Sequence, residues 1–91
     1  MRIVAWNIHV QPILDRDPRG DLSRDLREWR TKVKARAWSG PTELKNDKSV
    51  RATQNADGLW TFALGSSGAE LLADVDFDPA EGSVFIKAVT E

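Results

Sequence analysis

The chain has 91 residues, 41% of them hydrophobic and 30% charged, with a net charge of −1, which fits one soluble globular domain over residues 1–91 and excludes a disordered polyelectrolyte. The absence of cysteine excludes disulfides, thiol catalysis and thiolate zinc sites, and no stretch approaches the roughly 18 apolar residues of a membrane span. The near-neutral total hides an asymmetry: residues 1–51 hold twelve Lys/Arg against seven Asp/Glu, and residues 52–91 hold one Lys against seven Asp/Glu.

At the N-terminus, "MRIVAWNIHV" contains a short β-type run, "RIVAW", and no apolar signal core with a cleavage site, so a cytoplasmic protein is expected. A helix is expected from Asn7 as N-cap, with Pro12 disturbing its middle and Pro18 ending it. The next helix is the clearest element. Asp21 or Ser23 caps it, Leu22, Leu26, Trp29 and Val33 form one apolar stripe, and "SGP" at 39–41 stops it. "PTELKND" reads as a short helical turn capped by Thr42. From there the period changes to two, with strands expected over 49–53, 59–64, 69–77 and 83–89, separated by the turn signals "NADG", "GSSG" and "DPAEG". Connections this short require antiparallel neighbours. The expected fold class is α+β, an N-terminal helical hairpin packed on a small antiparallel β-meander.

The third of these segments poses the main question. In "GSSGAELLADVDFD", alternation puts Leu71, Ala73, Val75 and Phe77 on one strand face and Glu70, Leu72, Asp74 and Asp76 on the other. Three carboxylates on one face repel one another unless water or a partner relieves them. With Asp78 and Glu81 at the following turn, they form a candidate contact surface for a basic protein. The competing reading is a solubilising edge that keeps the strand from pairing with other chains. "DVDFD" also starts like a calcium loop, but the sixth position is Pro79 and the twelfth is Phe85, so no metal site is implied.

The single histidine, His9, offers no pair for a metal or a proton relay, and near a helix it reads as structural. No phosphate loop, nucleophile elbow or zinc-helix motif is present. On the long helix Arg24, Arg27, Arg30, Lys34 and Arg36, with Trp29 and Trp38 interleaved, could grip a phosphate backbone. The simpler reading places both tryptophans in the core, with the cations facing water among Asp25 and Glu28; Trp60 in "LWTFAL" reads as core as well.

Taken in order, "MRIVAW", "LREWRTKVKARAWSGPTELK", "LWTFAL" and "EGSVFIKAV" resemble the HigB group of bacterial type II toxins in the RelE/ParE superfamily. In that group a helix with a Trp and a Val-Lys pair leads to a second Trp, a Pro and a Lys, and a meander ends in a Val-Phe-Ile-Arg-like strand. The resemblance covers essentially the whole chain, and it implies a helical hairpin on a meander. It further implies ribosome-dependent mRNA cleavage neutralised by an antitoxin.

Two departures bear on that activity. The family's fourth strand carries basic residues in a Tyr-Arg-Leu-Val-Val-Lys-like run, whereas this chain reads "AELLAD", with Glu70 and Asp74 at those places. The family's Thr-His-x-Glu-Tyr-Asp-like continuation after the last strand has no counterpart in "VTE". Cleavage through a 2′-hydroxyl needs a proton acceptor, a proton donor and positive charge at the phosphorane. Replacing a cation by an anion at about 4 Å turns an attraction of about 4 kcal/mol into a repulsion of similar size, at an effective dielectric of about 20. The expectation is therefore a HigB-like protein without nuclease activity that binds a protein, either antitoxin-like or a basic nucleic-acid-binding protein. The alternative is an active mRNA endonuclease acting on the ribosome, with Lys45, Lys48, Arg51 and Lys87 as the basic catalytic candidates. No cofactor is implied by either reading.

Overall fold

A computed structural model describes residues 1–65 and 67–91; Ser66, within the predicted "GSSG" turn, lies outside the described residues. The described elements run β1 (Arg2–Val4), α1 (Trp6–His9), α2 (Gln11–Arg16), α3 (Asp21–Lys34), α4 (Pro41–Asn46), β2 (Ala52–Gln54), β3 (Trp60–Ala63), β4 (Glu70–Asp76) and β5 (Ser83–Thr90). The fold is α+β, with four helices and a five-stranded sheet among the described residues.

Strand order is β1-β5-β4-β3-β2. From β2 to β5 the strands form the expected antiparallel meander. The sheet as a whole is mixed, which corrects a purely antiparallel reading, because β1 joins it parallel to β5. Contacts beyond the ladder hold β1 there. Its Arg2 N–H donates to Gly82 O at 3.1 Å, and the Met1 amino group donates to Val33 O at 2.9 Å at the end of α3.

The helix starts differ from the sequence expectation for local reasons. The first helical segment begins at Trp6 after a left-handed Ala5, and it breaks at Val10, so Pro12 falls in the first turn of α2, where its missing N–H costs nothing. Asn7 therefore lies within α1 and His9 ends it. α3 has Gly20 as N-cap; Ser23 instead donates its hydroxyl to Asp17 O at 2.6 Å. α4 has Gly40 as N-cap and Pro41 at its first position, with no side-chain cap from Thr42. α3 ends at Lys34, before "SGP", and residues 36–39 run on without helical structure. Between β2 and β3 the "NADG" turn closes as expected: Asn55 Oδ1 accepts the Asp57 and Leu59 N–H groups, and Gly58 takes the positive φ of 84° that the turn requires.

Packing follows the two periods. Leu26, Trp29 and Val33 of α3 are buried, with Leu22 half-buried beside them. They meet the inward face of the sheet, made by Trp60, Phe62, Leu71, Ala73, Val75, Val84 and Ile86. Phe62 is the centre of this layer. Trp29 meets it edge-on at 5.4 Å between centroids and Trp38 tilts against it at 6.5 Å, while Trp6 stacks on Trp29. Trp29, Trp38 and Trp60 are core residues, at 4%, 6% and 2% exposure.

Asp47 ties the connection after α3 to the one after α4. Its carboxylate accepts Trp38 Nε1–H at 3.0 Å and the Ser49 N–H and hydroxyl at 3.1 and 2.6 Å, and Arg36 Nε lies 3.0 Å away. Burial alone would raise its pKa. The donors from Ser49 and Trp38 and the Arg36 charge outweigh burial and hold the carboxyl below its ordinary value.

Two outcomes follow from this packing. Phe62→Ala should destabilise the protein by about 3–5 kcal/mol, read as a lower urea midpoint by tryptophan fluorescence. For Asp47 the folded pKa is the lower one, so its stabilisation is present above the unfolded value of about 4 and fades as pH falls through the folded value. Asp47→Asn should therefore be less stable than wild type near neutrality, with the gap closing as pH falls below the ordinary carboxylate range in a pH series of urea melts.

Candidate functional site

All the helix-packed residues lie on one face of the sheet, so the other face is open. Alternation and register place Arg2 and Val4 of β1, Phe85 and Lys87 of β5, Glu70, Leu72, Asp74 and Asp76 of β4, and Thr61 of β3 on it. None of these is buried: Glu70, Asp74, Asp76, Phe85 and Lys87 are exposed, and Leu72 and Val4 are half-buried. The expected acidic strand face is therefore present and faces water. It lies on β4, between β5 and β3, and not on an edge strand. That removes protection of a sheet edge as its explanation.

The three carboxylates are not equivalent. Asp76 Oδ1 accepts the Asp78 N–H at 3.1 Å, and Asp78 Oδ1 accepts the Ala80 N–H at 2.8 Å and the Glu81 N–H at 3.3 Å. Asp76 and Asp78 thus build the turn into β5, while Glu81 is exposed on it. The described ion pairs are Arg16–Glu91, Arg24–Asp21 and Arg36–Asp47, none of which involves Glu70, Asp74 or Asp76.

Considered alone, β4 offers this face no cation, but β5 brings one. A register shift opposite Leu72 and Ala73 leaves Lys87 as the extra residue of a β-bulge. Its ammonium sits 4.5 Å from the centroid of the Phe85 ring. Phe85 is 43% exposed and directly opposes Asp74 in the ladder. Alternation within 83–89 carries the signal for Phe85, since Val84 and Ile86 must face the core. The bulge has no comparable local signal.

The cations of the long helix are largely engaged within the fold. Arg24 pairs with Asp21 at 3.2 Å, Arg27 donates to Pro18 O, and Arg30 lies over the Trp6 ring at 4.9 Å. Lys34 is exposed, and Arg36, expected on the helix but lying beyond its end, meets Asp47 and donates to Ser49 Oγ at 3.0 Å. Asp25, expected on the solvated face, is buried and accepts the Ser67 N–H at 2.8 Å, so it holds α3 to the β3–β4 connection.

The remaining basic candidates are dispersed. Lys45 lines a cleft of about 300 Å³ with Thr42, Thr53, Gln54 and Trp60. Arg51, left-handed at φ 46°, lines a much smaller cleft beside α3 with Asp25, Glu28 and Lys32. Lys48 is exposed on the connection before β2. Lys87 is three strands from β2, about 14 Å at ordinary strand spacing. No group of three or more His, Asp or Glu side chains with metal-binding geometry occurs among the described residues, and no described helix is long and apolar enough to cross a membrane. No protein-family model, curated protein or solved structure matches the chain.

With its arginines already engaged, α3 should be a poor phosphate comb. Binding of the purified protein to an mRNA or rRNA fragment, followed by fluorescence anisotropy across a salt series, should be weak and vanish near physiological salt. Sub-micromolar affinity there, with a steep salt slope, would contradict this assignment.

Proposed function

We propose that this chain is a HigB-like protein that has no nuclease activity and acts by binding a protein with a basic surface through the open face of its sheet. The observation carrying this reading is the exposed row of Glu70, Asp74 and Asp76 on a central strand, outside the described ion pairs. Such a row repels the phosphates of an RNA substrate. It also raises the encounter rate with a Lys/Arg surface and disfavours acidic partners. The half-buried Leu72 and the exposed Phe85 beside it give an arriving partner apolar area to cover, which a purely solvating face would lack. The partner would be an antitoxin-like protein, held as by a decoy, or a protein whose basic surface otherwise holds nucleic acid. The HigB-like assignment rests on the order of the quoted sequence motifs, and the α+β arrangement is compatible with it.

For the alternative, an active ribosome-dependent endonuclease, Lys45, Lys48, Arg51 and Lys87 would have to act on one phosphate. Their dispersal over two clefts, a connection and the open face speaks against this.

Expression should not arrest growth, and programmed ribosomes incubated with the purified protein should retain intact mRNA. Reproducible cuts in the ribosomal A site, lost on Lys45→Ala or Arg51→Ala, would overturn the inactive reading. Glu70→Lys combined with Asp74→Lys should abolish partner capture and leave the circular dichroism spectrum unchanged. Undiminished capture at moderate salt would reduce the acidic face to solvation alone.

A further inference from the structure

The open face contains an arrangement more specific than negative charge. Phe85 presents nearly half its surface to water at a position where a strand needs no aromatic residue. One face of its ring carries a cation, the Lys87 ammonium, at 4.5 Å. Asp74 stands opposite Phe85 as its ladder partner, and facing side chains in such pairs start about 5 Å apart. Asp76 lies two residues further along the same face, with one of its oxygens committed to the Asp78 N–H. Half-buried Leu72 and Val4 flank the ring on β4 and β1.

We infer that this face recognises an arginine-bearing segment of a partner protein, its guanidinium stacking on Phe85 and bonding to Asp74, and that Lys87 occupies the ring as an internal placeholder in the free protein. The inference rests on the proposal that the open face binds a basic protein, and it names the chemistry of that contact. Charge complementarity selects a cation, and the ring selects arginine over lysine. A guanidinium is planar, weakly hydrated and able to stack while its edge bonds a carboxylate; an ammonium is a compact, strongly hydrated point charge. Lys87 forms none of the described ion pairs despite three carboxylates on its face, so its position over the ring marks where a cation is held. The bulge that makes Lys87 an extra residue loosens the ladder at that point and lets the side chain leave without breaking a regular strand pair.

The test uses two capped peptides of identical length and charge, one carrying four arginines interspersed with Leu and Ser, the other with every arginine replaced by lysine. Titrated into the full-length protein at low salt, the arginine peptide should bind about tenfold more tightly than the lysine peptide. Phe85→Leu, which keeps an apolar side chain at an exposed position, should erase that difference. Asp74→Asn should weaken the arginine peptide severalfold, and Lys87→Gln should tighten it. In the free protein the Lys87 ε-methylene protons should be shifted upfield by the Phe85 ring, and saturating arginine peptide should return them to ordinary values. Equal affinity for the two peptides, lost on Glu70→Lys with Asp74→Lys but unchanged by Phe85→Leu, would overturn the arginine inference and leave the acidic contact face standing. Failure of both peptides to bind would overturn both.

Discussion

The contact between Trp29 and Phe62 is the constraint on which the arrangement depends. It fixes α3, the longest helix, against the middle of the sheet, and Trp6 and Trp38 close around the same two rings. A chain of 91 residues has material for one helical layer, and this contact commits that layer to one side. The other side of all five strands must then be compatible with water. Every candidate for function on β4 and β5 follows from that division, because a side chain's parity along its strand decides whether it joins the core or the open face.

Parity is a local property, and it was legible. The spacing in "ELLADVD" separates Leu71, Ala73 and Val75 from Glu70, Asp74 and Asp76, and the structure keeps that separation. The stripe of Leu26, Trp29 and Val33 was equally plain, since a helix repeats its buried face every three or four residues. What the sequence did not reveal depends on pairing between distant segments. β1 could not be assigned beside β5, because nothing within "RIVAW" names a partner some eighty positions away. Asp25 reads as one more charge on a polar helix face until the Ser67 N–H, 42 residues on, reaches it. The cap assignments failed for a related reason. Ser23 had a better acceptor in Asp17 O, and glycines at 20 and 40 could take the extended cap conformation without a side chain.

The charge asymmetry of the sequence also changes meaning once folded. Part of the basic half is tied down within the fold. Three of the helix arginines are tied to Asp21, Pro18 O and Trp6, and Arg36 is tied to Asp47 and Ser49. Such contacts at the surface each contribute little to stability, and salt screens the ionic ones. They nevertheless orient the side chains along the protein instead of away from it, which reduces what is offered to a phosphate backbone. The acidic half behaves in the opposite way: Glu70 and Asp74 project from the middle of the sheet outside the described ion pairs.

Solvation alone would account for polar residues on an open face, but not for their sign or company. Serine, threonine or alternating charges would keep β4 wet without repulsion, and threonines stand on the next two strands, at Thr61 of β3 and Thr53 of β2. Edge protection is ruled out by the position of β4 between two partners. On the proposed reading, an arriving basic partner relieves the repulsion between Glu70, Asp74 and Asp76, while Asp76 also accepts the Asp78 N–H within the fold. Of the two cations on this face, Arg2 lies on β1 beyond β5, and Lys87 sits over the Phe85 ring, so the free protein keeps both its carboxylate row and an occupied aromatic surface. A partner that brings its own cation to that ring would neutralise the row and release Lys87 in the same step. Under the proposal, the two features act as parts of a single recognition surface.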